Sequence, residues 1–231
     1  MVETTSPSIP RVSPAEARVA MEKSKRAEEA LRKNNFDYGI ALLMECCTAD
    51  PYNLKYRQSL RQAEKNKFKD NAPNAQVVVL KTGLTRFRLW WAVFLENYQK
   101  ALILAEQILL QNPWDVPTQM KLAKAFEGLE LLDHALWVLD QARQKDPKNV
   151  RVNRALAQLF EKRGNFPQAI AFWEMVRKAI PTDAVAQRKV SDLAANHAIA
   201  KAFGGKGTET TGSAQQKALT GSGTLKALST S

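Results

Sequence analysis

The sequence predicts an all-α protein built as a stack of antiparallel helix pairs, and three observations predict it. First, Pro113, Pro147 and Pro181 stand 34 residues apart, each in a turn-like setting after an apolar helical stretch. Second, other positions return at the same step. Leu122, Ala123 and Phe126 become Leu156, Ala157 and Phe160, and Ala101, Ala135 and Ala169 align, as do Ala105, Leu139 and Trp173. Third, an upstream stretch from Asn34 to Pro51 repeats the design, with Phe36 and Gly39 ahead of a closing Asp50-Pro51. A period of this length is the mark of a repeat array, in which each unit is one helical hairpin.

The residue types have physical reasons. Proline cannot continue a helix and sets up the next turn. Where the two helices of a hairpin cross, a small side chain lets the backbones approach and an aromatic fills the space beside it. Ala123 and Ala157 on first helices, and Gly39, Ala135 and Ala169 on second helices, are the expected small contacts.

The elements follow in order. Residues 1–12, with Pro7 and Pro10 and no helical period, read as a disordered lead. Ser13-Pro-Ala-Glu is a capping box with proline at the first helical position, which starts a helix at 14. Helix pairs are expected near 14–33/36–48, 83–96/98–111, 116–129/132–145 and 150–163/166–179. They give repeat units over 14–52, 82–115, 116–149 and 150–183. The interval from Pro51 to Pro113 is 28 residues longer than one unit. An insertion at 53–81 accounts for the excess, with a helix over 54–69 and a break at Asp70-Asn-Ala-Pro. Gln76 to Lys81 reads equally as a short strand-like segment or as an extension of the next helix. Residues 184–203 read as a terminal capping helix with a thin apolar stripe (Val185, Val190, Leu193, Ala194, Ile199), and 204–231 as a flexible Gly/Ser/Thr tail.

The 34-residue step, the small–aromatic pattern and the closing Asp-Pro-x-Asn resemble the tetratricopeptide repeat family, over 14–50 and 82–183. The resemblance implies a right-handed superhelix whose concave face is lined by the first helices. On that face it exposes Arg86, Trp90, Lys121, Lys124, Arg151, Arg154, Gln158 and Lys162, six of them basic. A face so rich in bases suits an acidic protein segment, and binding of one in this basic groove is the expected function. Members that clamp a terminal carboxylate pair lysine with asparagine on their first helices. Here Glu28, Lys124 and Gln158 stand in the asparagine positions, so chaperone-tail binding is not expected. Two departures concern Arg26, where an apolar residue is usual, and Leu89, where a small one is.

Composition limits function further. The chain has 231 residues and a formal net charge of +11. A surplus of that size points to nucleic acid, an acidic protein surface or anionic lipid. Between Asn53 and Arg88 nine bases stand against two acids. Lys55, Arg57, Arg61, Lys65, Lys67, Lys69 and Arg88 form a candidate basic patch for RNA or the ribosome, the alternative to the groove. Of Trp90 and Trp91, adjacent on a helix, one is expected in the core. No apolar run reaches a membrane span, and the start lacks the basic-then-apolar pattern of a secretory signal. Adjacent Cys46 and Cys47 read as small core residues of a cytoplasmic protein. His134 and His197 have no ligand-spaced partners, and His134 is expected on a helix surface. Gly204-Gly-Lys-Gly-Thr lacks the spacing of a phosphate loop. No catalytic residue, metal or cofactor is expected.

Overall fold

A computed structural model of the chain describes residues 12–204. Among the described residues the ordered structure is helical: α1 Pro14–Arg32, α2 Phe36–Ala49, α3 Leu54–Lys67, α4 Ala75–Phe94, α5 Tyr98–Leu109, α6 Val116–Gly128, α7 Leu132–Lys145, α8 Val150–Lys162, α9 Phe166–Ala179 and α10 Ala184–Gly204. The segment 76–81 is therefore an extension of the following helix. The lead and tail read from the sequence lie outside the described residues, save Val12 and Gly204.

Local chemistry sets the helix boundaries. The Ser13 hydroxyl accepts from the Glu16 amide at 3.2 Å, and the Glu16 carboxylate accepts from the Ser13 amide at 3.1 Å, completing the capping box. First helices α1, α4, α6 and α8 end alike. A left-handed residue follows each: Asn34 (φ 58), Glu96 (φ 55), Glu130 (φ 61) and Gly164 (φ 77). The next amide then reaches back to close the helix, Asn35 to Ala30, Asn97 to Ala92, Leu131 to Phe126 and Asn165 to Phe160, each at 2.9 Å. That bond satisfies a carbonyl the helix end leaves open. Asn35, Asn97 and Asn165 also cap the second helices with their side chains.

The prolines mark starts as well as stops. Helices α3, α6, α8 and α10 each begin three residues after Pro51, Pro113, Pro147 and Pro181. Six residues after each proline, a side chain donates to its carbonyl. The donors are Arg57 at 3.4 Å, Gln119 at 2.8 Å, Asn153 at 3.0 Å and Gln187 at 2.6 Å. The bond ties each turn to the first coils of its helix. By this register α3 starts as a first helix of the repeat does, whereas α4, which ends as the other first helices end and packs on α5, has no such proline ahead of it.

The chain divides into two compact units, Met1–Leu159 and Phe160–Ser231. In the first unit α1, α2 and α3 pack in succession, and so do α4, α5, α6 and α7, with α4 also touching α6. Gly39 sits at a close crossing, where a Cβ would meet Leu31 at 2.8 Å. Ala123, Ala135 and Ala157 are buried, as are Phe126 and Leu156. Leu89, at a position where a small residue was expected, is in the core at 1% exposure. In the second unit α10 packs on α9, Ala169 and Trp173 are buried, and Phe160 stacks on Phe172 with centroids 5.5 Å apart. Of the stripe expected on α10, Leu193 is buried and Val190 half-buried, but Val185 and Ala194 are exposed; Ala186 takes the inner position instead.

Two more expectations are corrected. His134 is buried, with Nε2 at 2.8 Å from the Tyr52 carbonyl and its ring against Phe126. Trp90 and Trp91 are both about half exposed, because the buried side of α4 is taken by Val78, Thr82, Leu89 and Ala92.

Candidate functional site

Of the residues expected on the concave face, Arg86 of α4, Lys121 of α6 and Arg151 of α8 lie within electrostatic reach of one another. Arg86 is half-buried and grips Asp115 with both terminal nitrogens, at 3.0 and 2.8 Å, while its Nε donates to Thr82 at 2.9 Å. Asp115 is also the cap of α6, accepting from the Thr118 amide. Burial pushes its carboxyl up, but Arg86 and Thr118 outweigh burial and hold it below the ordinary value. Burial pushes the Lys121 ammonium below its ordinary value; Arg86 and Arg151 push the same way by repulsion, against the pull of Asp115. Three cations thus share one surface with one carboxylate. Lys124 is exposed and 3.1 Å from Glu127 on its own helix. Arg151 and Gln158 are exposed, and Arg154 is half-buried. Trp90 lies stacked between Phe87 and Phe94 on α4. Lys162 is exposed and belongs to the second unit.

The basic segment is only partly at the surface. Arg57 and Arg61 are buried, at 2% and 3% exposure, which corrects their reading as solvent-facing bases. Both reach Glu106 of α5, at 2.8 and 2.7 Å, and Arg61 also pairs with Glu64. The Arg57 guanidinium lies 4.9 Å from the centroid of the Phe126 ring. Buried ions need such partners, because desolvation is otherwise prohibitive. Lys65 is half-buried and donates to Gln141 of α7 at 2.6 Å; burial, aided by Arg61, pushes its ammonium below its ordinary value. Lys67 pairs with Asp37 at 2.6 Å. Lys55, Lys69 and Arg88 are exposed. Glu106 is the residue the sequence reading missed: nothing local distinguishes it, since its partners lie 45 and 49 positions away.

Beside this cluster opens a cavity of about 330 Å³, lined by Cys47, Tyr52, Arg57, Leu102 and Ile103 among others. Burial pushes the Cys47 thiol up to about 12, so it remains a thiol near neutral pH and is a poor nucleophile. Among the described residues no three His, Cys, Asp or Glu side chains are grouped to hold a metal ion. No helix among them is long and apolar enough to cross a membrane.

Comparison with known proteins adds to this geometry. The family model described as tetratricopeptide repeat matches residues 131–193, which span α7, α8, α9 and the first half of α10. No curated protein matches the chain. Solved structures resemble it in fold. The Sgt2 TPR domain from Aspergillus fumigatus has a TM-score of 0.50 at 16% identity, covering 62% of this chain and 93% of that one. TTC0263, a thermophilic TPR protein of Thermus thermophilus, has 0.46 at 15% identity, covering 76% and 99%. The first TPR of Spaghetti (RPAP3), bound to the HSP90 peptide SRMEEVD, has 0.48 at 13% identity, covering 52% and 94%.

Proposed function

We propose that this chain, whose residues 131–193 match the tetratricopeptide repeat model, is a non-catalytic interaction scaffold that receives an acidic protein segment on its first helices. The observation that carries this reading is the crowding of Arg86, Lys121 and Arg151. Lys121 is held below its ordinary pKa partly by those two neighbours, with Asp115 the one anion among the causes. Like charges held this close raise the free energy of the empty surface. A carboxylate from a partner relieves that repulsion, so complementarity favours an acidic ligand over a neutral one. Trp90, exposed one turn beyond Arg86, offers an apolar contact beside the charges.

The test is fluorescence anisotropy with a labelled Asp/Glu-rich peptide of about ten residues, at low salt, on the full chain. Reversing both Lys121 and Arg151 to Glu is expected to weaken binding roughly tenfold or more, since two attractions become repulsions. Reversing Lys55 and Lys69 serves as the control of equal charge change and is expected to do far less. Equal loss from both pairs would reduce the effect to net charge and defeat the proposal.

A further inference from the structure

Helix α4 turns an apolar face away from the protein. Its inner side is accounted for by Val78, Thr82, Leu89 and Ala92, all at 5% exposure or less. On the outer side Leu80 is 86% exposed, Leu84 73%, Phe87 61%, Trp91 47% and Phe94 65%. Steps of three and four connect these positions, so they form one stripe along the helix. The stripe is about 20 Å long at the rise of an α-helix. Trp90 joins it through stacking with Phe87 and Phe94. Scattered exposed apolar residues need no explanation, but a continuous aromatic ridge does.

The charges on α4 indicate what covers it. The helix contains Lys81, Arg86 and Arg88 and no acidic residue. Lys81 and Arg88, seven residues apart and both exposed, border the stripe along one edge. Arg86 lies at the other edge, held by Asp115. Tryptophan and phenylalanine on one face with bases at the margins is the pattern of a helix lying in a lipid–water interface. The rings enter the acyl boundary while the cations meet headgroup phosphates. A second copy of the chain would bring the same cations against each other with no acid on α4 to pair them. We propose that α4 docks this protein peripherally on an anionic lipid bilayer, through Leu80, Leu84, Phe87, Trp91 and Phe94, with Lys81 and Arg88 on the headgroups.

Vesicle co-sedimentation of the full chain tests this, with phosphatidylcholine alone and with about one-third phosphatidylglycerol. The protein is expected to pellet with the anionic vesicles, less with the neutral ones, and to be released by high salt. Phe87→Ser with Trp91→Ser is expected to weaken partitioning roughly tenfold or more. Lys81→Glu with Arg88→Glu should reduce it on anionic vesicles alone. These positions are on the surface, so unchanged thermal melts are expected to accompany the loss. Acidic-peptide binding should persist in both variants, which separates this surface from the groove. Three results overturn the proposal: no pelleting with anionic vesicles at low salt, pelleting that the stripe variant does not reduce, or a concentration-dependent dimer in sedimentation velocity that the stripe variant abolishes. The last would assign the ridge to a second copy instead.

Discussion

Single residues decide how the chain turns and what its interior tolerates. Glu96 and Glu130 occupy left-handed positions at which α8 uses Gly164, although a Cβ there costs on the order of 1 kcal/mol. Glu130→Gly is therefore expected to stabilise the protein by up to about 1 kcal/mol, measured as a shift of the urea midpoint; a loss would mean that the side chain holds more than the turn. Burial makes Glu106 the opposite case. It is the shared acceptor for Arg57 and Arg61, so Glu106→Ala leaves two buried cations short of a partner. A loss of about 3–5 kcal/mol is expected, again by urea unfolding, and a change below about 1 kcal/mol would refute the account. Ala157 is fully buried, and Ala157→Trp is expected to cost about 1–3 kcal/mol or more from overpacking. The sequence showed Ala157 through its period. It could not show Arg57 and Arg61, because a base-rich helix reads as a solvated face and the acid that turns them inward lies on another helix.

At the scale of an element, α3 and α4 explain each other. Pro51 starts α3 in the register of a first helix, and its inward charges and Lys65 engage α5 and α7. Helix α4 then begins the succession α4–α5–α6–α7 without α3 packed along its outer face, which leaves that face apolar and open. The 28 extra residues revealed that something is inserted; where the helices dock was not legible, since period describes a helix and not its neighbour. The docking of α3 carries a pH signature. Two carboxylates share Arg61, but Glu106 has Arg57 as well, while one oxygen of Glu64 lacks a hydrogen-bond partner. Burial, against the pull of Arg61, pushes the Glu64 carboxyl up to about 8. Between its unfolded value of about 4.5 and 8, the folded chain keeps a proton that the unfolded chain has released. Stability is therefore complete below that interval and falls as pH rises through it, by at most about 1.4 kcal/mol per pH unit. Glu64→Gln is expected to flatten the fall in urea titrations from about pH 5 to about pH 8.5. An equal slope in the variant would show that another group titrates.

For the whole molecule the question is what a net charge of +11 accomplishes. Nine bases lie between Asn53 and Arg88, a density that taken alone suits RNA as well as protein. Folding spends part of it: Arg57 and Arg61 turn into the interior, Lys65 bonds Gln141 and Lys67 pairs with Asp37. Counterion release scales with the bases that can reach phosphates, so this segment offers RNA fewer contacts than its composition suggests. The cations that crowd with a single acid, Asp115, among them are instead Arg86, Lys121 and Arg151, on α4, α6 and α8. Partners recovered with the tagged full chain from its own cells should therefore survive nuclease. They should be stripped when salt rises from about 0.05 to about 0.5 M, where the screening length falls from above roughly 10 Å towards about 4 Å. Lys121→Glu with Arg151→Glu should remove the same proteins that salt removes, whereas Lys55→Glu with Lys69→Glu should leave them. Loss of those partners on nuclease treatment would mean that nucleic acid bridges them, and would move the function from the first helices to the exposed bases of the insertion.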